Sequence, residues 1–197
     1  MLRKIIICAT LFFMTHISCG QHFGIKAGLN YSNLVPDPDQ KYGDFKTGLH
    51  FGVFSTFRIT EVIYLRPEIH YSQKGYSLEL PPGGIADGLT SHMSYLTVPI
   101  AIEIQAIKKL SLHLGTELGY LLSVKEDPEL PGSENPIDTW NRSDVGLLAG
   151  FNFQITEKIQ CDFRYVYGLS SVSKTSSFSR NNLQNRLLQV SVGYKLL

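Results

Sequence analysis

Cysteine is nearly absent from this chain. Three occur in 197 residues, and two of them, Cys8 and Cys19, lie in the first twenty. So few thiols exclude a disulfide framework and a thiolate metal cage. Cys161 then stands alone in the rest of the chain, where a small apolar role on an outward face is expected. Beyond Ile17 no apolar run is long enough for a membrane-crossing helix, which needs about 20 residues. Charge of one sign is also lacking. The formal net charge is +1, and no basic cluster is interleaved with aromatics, so nucleic acid is not an expected partner. The histidines after residue 20 (His22, His50, His70, His92 and His113) show no ligand spacing. No metal, cofactor or catalytic residue is predicted from them.

What is present begins with a leader. Arg3 and Lys4 precede an apolar stretch from Ile5 to Ile17, followed by the small residues Ser18, Cys19 and Gly20. This order reads as a signal peptide over 1–20, with a barrel domain over 21–197. Its removal takes away two basic residues and leaves a charge of about −1. A rival reading keeps Cys19 as a lipidated N-terminus, although His16 stands where that motif has an aliphatic residue.

The rest alternates. Eight stretches, at about 23–34, 47–59, 63–80, 93–107, 110–124, 143–155, 159–171 and 185–197, place apolar and polar side chains on opposite faces with a period of two. Leu96, Val98, Ile100, Ile102 and Ile104 share one face of the fourth, for example. The connectors alternate as well. Thr60-Glu61-Val62, Lys108-Lys109 and Thr156-Glu157-Lys158 are tight, and the others are long and rich in Pro, Asp, Gly, Ser and Asn. One tight turn repeats another: Phe57-Arg58-Ile59-Thr60-Glu61 is echoed by Phe153-Gln154-Ile155-Thr156-Glu157. The pattern predicts an all-β, eight-stranded, antiparallel up-and-down transmembrane β-barrel with short periplasmic turns and long extracellular loops, in the outer membrane of a Gram-negative bacterium. Pro67, which lacks a donor, predicts a local irregularity in the third strand.

Side-chain chemistry sorts by face. Phe23, Phe57, Phe153 and Tyr194 lie outward near the short-turn end; Tyr31, Phe51, Tyr71, Tyr120 and Tyr167 lie outward near the long-loop end. Two such girdles are what the interfaces of a bilayer select. The opposite faces carry charges of both signs in near balance. Arg58, Arg66, Glu68, Glu103, Glu117, Asp162 and Arg164 are predicted to form an interior polar network that fills a lumen too narrow for a pore. Trp140, in the longest loop, is expected as an interfacial anchor or a contact point.

Several segments resemble a known family. Gly24-Ile25-Lys26-Ala27-Gly28-Leu29-Asn30, Leu65-Arg66-Pro67-Glu68-Ile69, Tyr71-Ser72-Gln73-Lys74-Gly75, Tyr95-Leu96-Thr97-Val98-Pro99 and Arg164-Tyr165-Val166-Tyr167-Gly168-Leu169 are similar to the PorT-like outer-membrane β-barrels of Bacteroidetes. The resemblance implies a non-enzymatic barrel that supports surface binding, protein secretion or transport. It also implies outer-membrane lipid, the barrel-assembly machinery and secretion-system or surface proteins as partners. It brings no catalytic residues.

Two alternatives stay open on sequence. Period two does not say which face is inside, so a soluble periplasmic lipocalin-like barrel holding an apolar ligand fits the same alternation. A lipid-modifying barrel enzyme would need a constellation such as His92 with Ser91 or Ser94 and a carboxylate, which local sequence does not assemble.

Overall fold

Each alternating stretch forms a strand. The computed structural model describes residues 22–37, 44–79, 88–127, 136–174 and 182–196, so the predicted leader and Cys19 lie outside the described residues. The strands are β1 (His22–Asp37), β2 (Asp44–Arg58), β3 (Ile63–Glu79), β4 (Gly88–Ile107), β5 (Leu110–Asp127), β6 (Ser143–Gln154), β7 (Ile159–Gly168) and β8 (Asn182–Lys195). They pair antiparallel in chain order, and β1 closes on β8 from Gly24↔Lys195 to Asp37↔Asn182. Closure leaves no unpaired edge, which alone makes a sheet compatible with a medium that cannot hydrogen-bond.

At the long-loop end β1, β2, β4, β5 and β8 overrun their sequence-based limits, whereas β3 and β7 stop short of theirs. β4 begins five residues before the expected position and β5 ends three residues after it. Alternation lapses there because the ladders carry bulges, between Phe45 and His50 on β2 and, opposite Ser94 and Tyr95, at Leu122 on β5. Each bulge inserts a residue and resets which side chains point inward. Pro67 does not do so. The register from Ile63↔Ile104 to Glu79↔Gly88 keeps one offset across it, so no residue is inserted there.

The repeated tight turns are built alike. In the first, Ile59 donates to the Ile63 carbonyl at 2.9 Å, and the Thr60 hydroxyl accepts the Ile63 amide at 3.1 Å. In the second, Ile155 donates to the Ile159 carbonyl at 2.9 Å, and the Thr156 hydroxyl accepts the Ile159 amide at 2.9 Å. A threonine hydroxyl thus takes the place of a backbone acceptor, which is why the same Ile-Thr-Glu recurs.

The outer face is apolar, and the inner face gathers the buried charges beside a small apolar cluster of Ala101, Leu148, Val166 and Leu187. Ile25, Leu29, Leu49, Phe51, Ile69, Ile102, Leu114, Leu147, Tyr165 and Val192 are exposed on the outside. Lys26, Arg66, Glu68, Lys74, Glu117, Asp162 and Arg164 are buried on the inside. A continuous apolar belt around the whole circumference far exceeds what a water-soluble monomer shows. The arrangement is the inverse of a lipocalin-like barrel, which keeps its hydrocarbon inside.

Candidate functional site: the filled lumen and its cap

The inward side chains of β3 trace the lumen from the short-turn end upward: Arg66, Glu68, His70, Ser72, Lys74 and Tyr76. Space for these side chains and for His113 of β5 comes from glycines on the strands beside them. A Cβ on Gly52 would collide with the Ile69 carbonyl and lie 2.5 Å from the His70 ring. One on Gly150 would collide with the Phe163 carbonyl and lie 2.6 Å from His113 Nε2.

Glu68 is the hub. Arg164 grips it with two parallel hydrogen bonds, and Lys26 Nζ donates to Oε2 at 3.0 Å. Arg66 Nε lies 2.8 Å from Oε1, and His70 Nε2 lies 2.9 Å from Oε2. Lys26 also donates to Asp162 at 3.1 Å, and Arg66 donates to Glu103 at 2.9 Å while its guanidinium lies over the Phe54 ring. These ions come from β1, β3, β4 and β7, so the network spans the cylinder. An isolated charge here would cost several kcal/mol; shared among partners, each is compensated.

A second cluster lies above. Lys74 donates to Glu117 at 3.0 Å and to Asp144 at 3.1 Å, and Asn185 donates to Asp144 at 2.7 Å. Between the two clusters, Asn30 links Ser72 and Gln189 at 2.9 and 3.0 Å.

The structure brings together Arg66, Glu68, Glu103, Asp162 and Arg164 in the lower network and Glu117 in the upper one. Arg58 is not among them. It is exposed and donates to the Thr60 carbonyl at 3.1 Å. It occupies the last rung of β2, at the short-turn rim, where water solvates an ion that has no carboxylate beside it among the described residues. His50, His70, His113 and Asn30, inward by strand parity but outside the predicted network, are buried with it, as is Asn185. Strand parity was the available signal for them.

Trp140 also departs from expectation. It is 5% exposed and neither meets lipid nor projects from the surface. A 3₁₀ turn, Pro136–Thr139, folds it over the mouth, where it packs with Leu34, Tyr76, Met93, Leu121, Val172 and Leu183. Its backbone bridges Ser173, and the Asn141 side chain donates to the carbonyls of Ser171 and Ser173 at 2.9 and 3.1 Å. Two returning segments are thereby knitted into one apolar cap. At the opposite end a polar vestibule of about 280 Å³, lined by Tyr64, Glu103, Gln105, Gln160 and Lys195 among others, ends at Arg66.

The serine–histidine constellation is not assembled. Ser91 is buried inside and His92 is exposed outside, while Ser94 accepts a hydrogen bond from the Tyr71 hydroxyl at 2.8 Å.

A family model described as "Outer membrane protein beta-barrel domain" matches residues 20–174. The chain belongs to that family. Its belt therefore meets outer-membrane lipid, with the tight turns in the periplasm and the long loops outside the cell. Among solved structures it is similar to Neisserial surface protein A, at a TM-score of 0.57 and 16% identity, covering 90% of this chain and 99% of that one. It is also similar to Ail, the attachment invasion locus protein of Yersinia pestis, at 0.50 and 13%, covering 90% and 99%. Ail in complex with the heparin analogue sucrose octasulfate aligns at the same TM-score over 89% of this chain. At such identities the likeness is one of fold. No curated protein matches the chain in sequence.

Proposed function

We propose that this barrel is a non-conducting, non-enzymatic outer-membrane protein that presents its long loops as a platform for surface contacts, in the manner that the PorT-like resemblance implies. The observation that carries the reading is the double closure of the lumen. An ion-pair column joining β1, β3, β4 and β7 lies beneath an apolar cap centred on Trp140. A solute path would have to break both. The short turns are only a few residues each, whereas the cap region exposes Asp138, Thr139, Arg142 and Lys174 on a framework fixed by the Asn141 hydrogen bonds. Rigid presentation lowers the ordering cost of binding. Similar barrels that bear the names of a surface protein and an attachment protein support the same direction.

Two measurements test it. In planar lipid bilayers the refolded protein gives no single-channel steps; stable conductance overturns the non-conducting part. Proteins that co-purify from outer membranes are lost when residues 125–142 or 172–184 are deleted. An unchanged set of partners after both deletions overturns the platform.

A further inference from the structure

On β3, β4 and β5 the apolar belt ends at Tyr71, Leu96 and Leu122, while β2 carries the exposed Phe45 beside Lys46. One rung higher come Gln73, Ser94 and Ser123, a strip of amide and hydroxyl groups joined in register. The next outward rung is Gly75 on β3, His92 on β4 and Lys125 on β5. At about 3.3 Å per residue and the usual tilt, this rung stands about 10 Å above Tyr71, toward the long-loop end.

A third base joins it from further away. Lys46 on β2 reaches across β3, and its Nζ lies 2.7 Å from His92 Nδ1. The crossing point is Gly75, the residue of positive φ among those described, where a Cβ would press to 3.2 Å from Lys46 Cδ. An ammonium can only donate, so Nδ1 of a neutral imidazole accepts and Nε2–H is left to point elsewhere. Burial lowers the pKa of His92, and the charges of Lys46 and Lys125 lower it further against the opposing pull of Asp127. The groups facing His92 are thus Lys46 from β2, none from β3, and Lys125 and Asp127 from β5. No ion pair ties Lys46 or Lys125 to a carboxylate among the described residues. Three bases are held together on the outer wall with one nearby carboxylate, one rung above hydroxyl and amide groups and two above hydrocarbon.

We infer that Lys46, His92 and Lys125 form a binding site for the phosphate of a lipid headgroup in the outer leaflet. The belt below takes the acyl chains, and the strip of Gln73, Ser94 and Ser123 faces the sugar or glycerol hydroxyls. The three bases donate to a phosphate monoester through N–H groups that the protein leaves unused. Continuity with the lipid belt selects a membrane lipid over a soluble anion.

The test uses the refolded chain in phosphatidylcholine nanodiscs, with or without diphosphoryl lipid A, and follows the His92 imidazole by NMR. With lipid A the titration midpoint of His92 rises. Lys46→Gln and Lys125→Gln each weaken lipid A retention about tenfold by native mass spectrometry. Lys46→Arg keeps the retention. Heat-modifiable gel migration confirms that every variant is folded. Equal retention by the wild type and the Lys46→Gln/Lys125→Gln variant overturns the site. An equal rise of the midpoint with inorganic phosphate in plain phosphatidylcholine nanodiscs overturns the lipid as its occupant.

Discussion

Arg164 on β7 holds Glu68 on β3 by a two-pronged clasp, Nη1 to Oε2 at 3.1 Å and Nη2 to Oε1 at 2.8 Å. The residues are 96 positions apart and meet across the lumen. Parallel N–H···O bonds of this kind fix geometry as well as charge.

Glu68→Gln keeps the shape but removes the charge that Arg164, Lys26 and Arg66 share. The expected loss is about 3–5 kcal/mol of folding stability, read by urea titration in lipid vesicles. Adding Arg164→Met does not restore the wild-type value, because Lys26 and Arg66 have each still lost one of their two carboxylate partners. Full recovery in the double variant would show that Glu68 serves Arg164 alone.

Arg58→Gln is the matched control for Arg66→Gln. Arg58 is exposed and bonded only to a turn carbonyl, so its loss leaves the urea midpoint within error. Arg66 is buried between Glu68 and Glu103, and its loss lowers the midpoint clearly.

Gly52→Ala and Gly150→Ala place a methyl group against backbone carbonyls of Ile69 and Phe163. Neighbouring strands cannot yield there without opening the ladder, so both variants fail to reach the heat-resistant gel form. Gly119→Ala meets Asp144 Cβ at 3.2 Å and is tolerated with a modest shift.

Thr60→Val and Thr156→Val remove equivalent acceptors from separate hairpins. Each costs about 1 kcal/mol. The two losses add within a few tenths of a kcal/mol, because the turns share no partner. Strong non-additivity in a double-variant titration would reveal coupling between the hairpins.

Trp140→Ala empties the centre of the cap and costs about 3–5 kcal/mol. Bilayer conductance stays at baseline, since the ion-pair column below remains shut. Channel steps from this variant would make the cap the sole barrier.

The strands and tight turns were legible in the sequence because a period of two survives wherever one face meets lipid and the other meets ions. Leu96 to Ile104 on β4 illustrates it. The same parity placed Glu68, Glu117 and Arg164 inside. It failed for Arg58 because parity carries no information about depth: inward at a rim means solvated. Which acid meets which base was also hidden. Glu68 and Arg164 face each other only through the stagger of a closed cylinder, and no local pattern encodes that offset. Trp140 lay beyond reach for a different reason. A loop residue has no periodic neighbours to mark its side, and its burial rests on Leu34, Tyr76 and Val172 arriving from three other parts of the chain.

Lys26 belongs to the first strand and finds its counter-ions on the third and seventh, so the hairpins cannot enter hydrocarbon one at a time without stranding bare ions in oil. Insertion and circularisation are therefore a single concerted event. Trimming away the final hairpin would give no smaller cylinder but a chain that stays at the water's edge.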